Sequence, residues 1–319
     1  ARKLVEKAAE AGADYIKFQT FITELSISEN AKKADYQLIN TKDISETQFE
    51  MIKKLELSFE EFRELSEYCN KCGIGFLSTG FDIPSIDFLD TLGLPFFKIP
   101  SGEINNKPYL EHISGKRKPV IMSTGMADMA DIENALRILF NGGLTRDQVT
   151  VLHCTTEYPA PVSEVNLAAL RTIQEEFKVK VGYSDHTEGI EIAIAAAALG
   201  AAVIEKHFTL DRNMEGPDHL ASIEPGELHE MVRAIRNVEQ ALGDGIKKPS
   251  DSEKKNIAIA RKSIHYIRDM EAGQKLEASD LIMKRPGDGI SPMETGKVAG
   301  RILGRSVLAD TKVEWEDLQ

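Results

Sequence analysis

The sequence predicts an α/β protein: a (β/α)8 barrel, in which eight parallel strands are each followed by a helix, joined to a small second domain. Three observations predict it. Short apolar runs alternate with helical stretches over about 250 residues, the span such a barrel occupies. Nearly every apolar run ends in polar, ligand-capable residues, whereas an open doubly wound sheet gathers its site at one switch point. No Gly-x-Gly-x-x-Gly follows the first strand, which also argues against that sheet. Past a Gly/Pro/Ser/Lys stretch at 243–253 the texture changes to short strands and turns.

The elements follow in order. Residues 2–11 carry helical periodicity and stop at Gly12; 14–19 then alternate as a strand. A long polar loop is expected over 20–56, then a helix at 60–71, a strand at 74–78, a helix at 84–92 and a strand at 96–99. Strands at 120–123 and 149–153 flank a helix at 129–141, and 165–177 is helical. Strands at 179–183 and 203–206 enclose the Ala-rich helix 190–199, and 224–242 closes the barrel. The count reaches about seven strands, one short of closure. The sequence is therefore expected to lack the first strand of the natural protein. The domains expected are a barrel at 1–243, a linker at 244–258 and a small domain at 259–319, with strands at 263–267, 281–285 and 305–308.

Composition narrows the classes. The 319 residues are 42% hydrophobic and 28% charged, ordinary for a soluble globular protein. No apolar run reaches membrane-spanning length and no signal peptide opens the chain, so a cytoplasmic protein is expected. A net charge of −12 argues against a nucleic-acid surface. Three cysteines do not make a disulfide framework, and Cys69-x-x-Cys72 has no second pair with which to bind zinc.

The strand ends carry the chemistry. They present Lys17 and Gln19, Ser78 and Thr79, Lys98 with Ser101 and Glu103, Ser123, Tyr158, Ser184 with His186, and Lys206 with His207. Lysines in a barrel mouth are costly to desolvate unless they meet an anion. Ringed by hydroxyls, they describe a receptor for phosphate and carboxylate. His186 and His207, at the ends of consecutive strands, suggest a metal.

Eight motifs then fall in order along the chain: Lys17-Phe-Gln-Thr-Phe21, Phe97-Lys-Ile-Pro-Ser-Gly-Glu103, Met122-Ser-Thr-Gly-Met126, His153-Cys-Thr-Thr-Glu-Tyr-Pro159, Tyr183-Ser-Asp-His-Thr187, Glu205-Lys-His-Phe208, Gly216-Pro-Asp-His219 and Lys284-Arg-Pro-Gly287. Together they resemble the sialic acid (nonulosonic acid) synthase family, enzymes that condense phosphoenolpyruvate with an N-acetylated amino sugar.

The resemblance implies a TIM barrel followed by an antifreeze-like (SAF) domain, in a domain-swapped homodimer. It implies that His186 and His207 ligate a divalent metal, usually manganese, with magnesium or cobalt as alternatives. Lys17, Thr79, Lys98, Ser101, Ser123 and Ser184 would hold phosphoenolpyruvate. Gln19, Glu103, Tyr158 and Asp218 would face the sugar, and Arg285 would enter the partner's site. Lys17, Glu103 and Asp218 would take catalytic roles.

Two departures from the family pattern stand out. The first-strand glutamate and Asn-His-Asn-Gly run are absent, and the phosphate loop reads Ser78-Thr-Gly-Phe-Asp82 where proline is usual in place of Gly80. The Cys154-Thr-Thr-Glu-Tyr-Pro159 form resembles the legionaminic acid branch. Neuraminic and pseudaminic acid synthases are the alternatives, and a non-catalytic carbohydrate- or ice-binding protein is the alternative of a different class.

Overall fold

The computed structural model describes residues 1–41 and 45–319, in two compact units, Ala1–Gly243 and Asp244–Gln319. Helix α1 (Arg2–Glu10) leads into β1 (Tyr15–Thr20). The stretch expected as a loop holds three short helices instead: α2 (Thr23–Ser26), α3 (Asp35–Thr41) and α4 (Gln48–Lys53). Their polarity hid them, and local capping explains α4. Thr47 and Glu50 form a reciprocal capping box there, satisfying backbone donors that would otherwise go unpaired.

Next come α5 (Phe59–Cys72), β2 (Gly75–Gly80), α6 (Ile83–Thr91) and β3 (Phe97–Ile99). Helix α7 (Lys107–Gly115), absent from the sequence reading, starts behind the cap Asn106 with proline in its first turn. Then follow β4 (Val120–Ser123), α8 (Met129–Asn141), β5 (Val149–Cys154), α9 (Ala169–Phe177), β6 (Lys180–Asp185), α10 (Glu191–Ala198), β7 (Ile204–Lys206) and α11 (Pro225–Leu242).

Among the described residues β1 to β7 are all parallel: β1 pairs with β2, and β3-β4-β5-β6-β7 form one curled sheet. Inside and around it, Ile16, Phe76, Phe97, Ile99, Val151 and Tyr183 belong to one continuous buried core. Each such side chain contributes about 1.5–3 kcal/mol by leaving water. Gly182 in β6 is dictated by space. A Cβ there would lie 2.5 Å from both Leu152 Cδ2 and the Val203 carbonyl oxygen. The parallel register places Ser184 opposite Glu205 and Asp185 opposite Lys206.

The second unit has its own core, built on Ile264, Tyr266, Leu276, Val298, Leu303 and Val313. Within the stretch expected as a linker, α12 (Asp251–Ala260) forms behind a Ser250/Glu253 capping box. Strands β8 (Ser263–Tyr266) and β9 (Leu281–Lys284) are antiparallel. Around 305–308, where a strand was expected, a single bridge joins Met270 to Val307. The short helix α13 (Thr295–Val298) completes the unit, and Tyr266 Oη donates to Asp317 Oδ2 at 3.0 Å.

Candidate active site

Parallel strands put their carboxyl ends at one rim, and alternation sorts the side chains there. Glu205 and Lys206 are consecutive, so they face opposite ways. Lys206 donates to Asp185 Oδ2 at 2.8 Å and to the Thr187 carbonyl at 2.5 Å. Asp185 Oδ1 in turn accepts from the Thr187 backbone and hydroxyl. The sequence reading had counted Lys206 among the cations awaiting a ligand; the protein itself satisfies it.

Glu205 faces the other way and was missed. Its carboxylate accepts from Ser184 Oγ at 3.1 Å and lies 3.7 Å from Lys17 Nζ and 3.6 Å from Lys98 Nζ. Burial works against its charge, but Lys17, Lys98 and the Ser184 hydroxyl bring it down to about 2, so it is ionised. The signal available in the sequence was its spacing, two residues before His207 and hence on the same strand face.

Lys98 is 3% exposed and donates to Ser123 Oγ at 2.7 Å. Burial pushes its ammonium down and Glu205 pulls it back. Lys17, Gln19, Lys98, Glu205, His207 and Asp218 line a cavity of about 1090 Å³ that runs between β1 and β7.

The two imidazoles stand beside this pair of lysines, with ring centroids 5.3 Å apart. His186 Nδ1 donates to the Thr155 carbonyl at 2.6 Å, which leaves Nε2 with its lone pair, 3.4 Å from Ser184 Oγ. Burial, then the neighbouring His207, lowers His186 to about 4; burial and Lys17 bring His207 to about 4. Both rings are therefore neutral at pH 7, the form in which imidazole binds a metal. The Tyr158 ring is tilted by 32° against His186 with centroids 4.2 Å apart, and Asp218 Oδ2 lies 3.9 Å from His207 Nδ1. Burial raises Asp218.

The donor set fits a divalent ion only in part. Among the described residues no three His, Cys, Asp or Glu side chains converge to hold one. A metal on His186 and His207 would draw its other ligands from substrate or water.

Further hydroxyls stand at the ends of β2, β3 and β5. Ser101 Oγ accepts from the Gly125 N–H at 2.9 Å. A Cβ at residue 125 would meet Thr156 Oγ1 at 2.1 Å, so the chain needs glycine there. Among the described residues the buried Thr79 and Thr156 hydroxyls meet no hydrogen-bond partner. Each such group costs about 1–3 kcal/mol until something pairs with it. Glu103 Oε2 accepts from Asn106 Nδ2 at 2.6 Å. Arg285 lies apart from this set in sequence, in the second unit, exposed and donating through Nε to the Ala260 carbonyl.

The NeuB family profile matches residues 4–247 and the SAF domain profile 261–319. The chain is 52% identical over 310 residues to N,N'-diacetyllegionaminic acid synthase of Campylobacter jejuni, covering 97% of this chain and 92% of that protein. It is 47% identical over 321 residues to the Legionella pneumophila enzyme of the same name, covering 100% and 90%. Among solved structures, the N-acetylneuraminic acid (sialic acid) synthetase of Leptospira borgpetersenii superposes with a TM-score of 0.70 at 34% identity, over 80% of this chain and 84% of that one. The chain belongs to the NeuB family of sialic acid synthases and ends in a SAF domain.

Proposed function

We propose that the protein condenses phosphoenolpyruvate with a 2,4-diacetamido-2,4,6-trideoxy-mannose type sugar, giving N,N'-diacetyllegionaminic acid and phosphate. One observation carries the reading: two lysines lie 3.6 and 3.7 Å from a single part-buried carboxylate, with the Ser123 and Ser184 hydroxyls bonded to the cluster and two neutral imidazoles beside it. That is a cation-rich receptor for a small polyanion next to a metal-competent pair. The choice of sugar is supported by the two relatives at 52% and 47% identity.

In this reading Lys17, Thr79, Lys98, Ser101, Ser123 and Ser184 hold phosphoenolpyruvate, and Gln19, Glu103, Tyr158 and Asp218 hold the open-chain sugar. Arg285 reaches the acetamido group from the other subunit of a homodimer. Carbon 3 of phosphoenolpyruvate forms a bond to the aldehyde carbon, and the aldehyde oxygen takes a proton from Asp218, which burial holds toward its acid form. Water adds its oxygen to carbon 2, and one of its protons restores the Asp218 carboxyl. The bond from carbon 2 to the phosphate oxygen then breaks, and phosphate leaves with the electron pair and the water's other proton. Lys17 and Lys98 stabilise that departing charge. A divalent metal on His186 and His207, manganese in our reading, supplies Lewis-acid polarisation of the aldehyde when bound.

Phosphate release tests the proposal. With manganese, the 2,4-diacetamido sugar should react at least about tenfold faster than N-acetylmannosamine or an altrose-type sugar, the lower end of the discrimination that one altered substituent supplies. Label in the bridging oxygen should leave with phosphate. No release with any of the three sugars overturns the assignment. Metal analysis provides a second check: the His186→Ala, His207→Ala double variant should lose the manganese that the parent retains through gel filtration.

A further inference from the structure

The amino end of α7 joins two parts of the site. Asn106 caps this helix, its Oδ1 accepting from the Tyr109 N–H at 3.3 Å. That use of the oxygen settles which way the amide faces. The Nδ2 end turns back and donates to Glu103 Oε2 at 2.6 Å, a charge-assisted bond.

The first turn of α7 is itself fixed from below. Tyr109 is 2% exposed, and its hydroxyl donates to the Gly80 carbonyl at 2.6 Å, at the end of β2 immediately after Thr79. Pro108 stiffens the same turn and needs no donor partner there. Glu103, Asn106, Tyr109 and Gly80 thus form one hydrogen-bonded relay between strand ends. Capping accounts for only half of what Asn106 does. Serine, threonine or aspartate would cap equally well, and none of them has an amide N–H to offer Glu103.

We propose that Asn106 is a positioning residue for the reaction: it holds the Glu103 carboxylate in place for the sugar and ties it, through the first turn of α7, to the strand end that carries Thr79. The inference rests on the reading of Glu103 as a sugar contact. It concerns the orientation of that carboxylate rather than contact between Asn106 and substrate.

The full-length protein with Asn106→Asp, Asn106→Ser and Glu103→Gln tests it. Asn106→Asp keeps size and cap but replaces the donor by a second acceptor beside Glu103; Asn106→Ser keeps the cap and loses the reach. Both should raise KM for the sugar about tenfold, the equivalent of one charge-assisted hydrogen bond. KM for phosphoenolpyruvate should stay within about twofold and the melting temperature within a few degrees of the parent. If both variants keep the parental sugar KM while Glu103→Gln raises it, Asn106 is a cap and the proposal fails. A silent Glu103→Gln removes the underlying reading, and the proposal falls with it. Equal rises in both KM values with a lowered melting temperature mark a purely structural role and also overturn it.

Discussion

Two ion pairs lie one residue apart on β7 and have opposite characters. Lys206 and Asp185 meet at 2.8 Å, 2% and 0% exposed, with their remaining hydrogen bonds closed by Thr187. Glu205 sits at 3.6 and 3.7 Å from two lysines, too long for a direct hydrogen bond to either. The first pair is finished and can only be broken. The second is held open: Lys98 gives N–H groups to Ser123 Oγ and the Ile99 carbonyl and keeps a third, which is what the proposed phosphoenolpyruvate site requires. Distance and saturation, rather than burial alone, separate a structural ion pair from a receptive one.

The contrast can be broken from either side. Lys98→Met should abolish most turnover, by roughly a thousandfold or about 4 kcal/mol in the barrier, because it removes a cation from where charge develops. Its melting temperature should change little, since Glu205 keeps Lys17 and Ser184. Single-turnover phosphate release beside calorimetry checks both halves, and a fold that collapses without loss of rate in the surviving protein would contradict them.

Asp185→Ala should behave in the reverse sense. Leaving Lys206 buried and uncompensated costs about 3 kcal/mol or more. Denaturant unfolding should show that loss, with turnover per folded molecule within a few-fold of the parent. The smallest effect is expected at Thr79. Thr79→Val removes a hydroxyl that has no partner, so stability should hold or rise by about 1 kcal/mol, while KM for phosphoenolpyruvate rises several-fold. A matching fall in stability would show that the hydroxyl has a partner in the resting protein.

The sequence disclosed the barrel through alternation, and disclosed His186, His207, Lys17 and Lys98 through their places at strand ends. Glu205 was hidden because Glu205-Lys206-His207 reads as three consecutive polar residues; alternation groups the first with the third, but strand pairing is what hands the second to Asp185. Helices α2, α3 and α4 escaped because each is too short, at four to seven residues, to show a helical period, and α4 starts on a local capping box. Helix α7 escaped for another reason: Pro108, which reads as a breaker, stands where a helix can accept it. The partnerless state of Thr79 belongs to packing, which no local pattern encodes.

Gly182 shows how a site can depend on emptiness. Ser184 and His186 stand two and four residues beyond it on the same chain, and β6 approaches Leu152 and Val203 closely enough to hold them only because residue 182 contributes no side chain. A single added methyl would move the strand's cargo without touching any group that meets a ligand. The tolerance of this site to change is therefore set partly by a position that has no chemistry of its own.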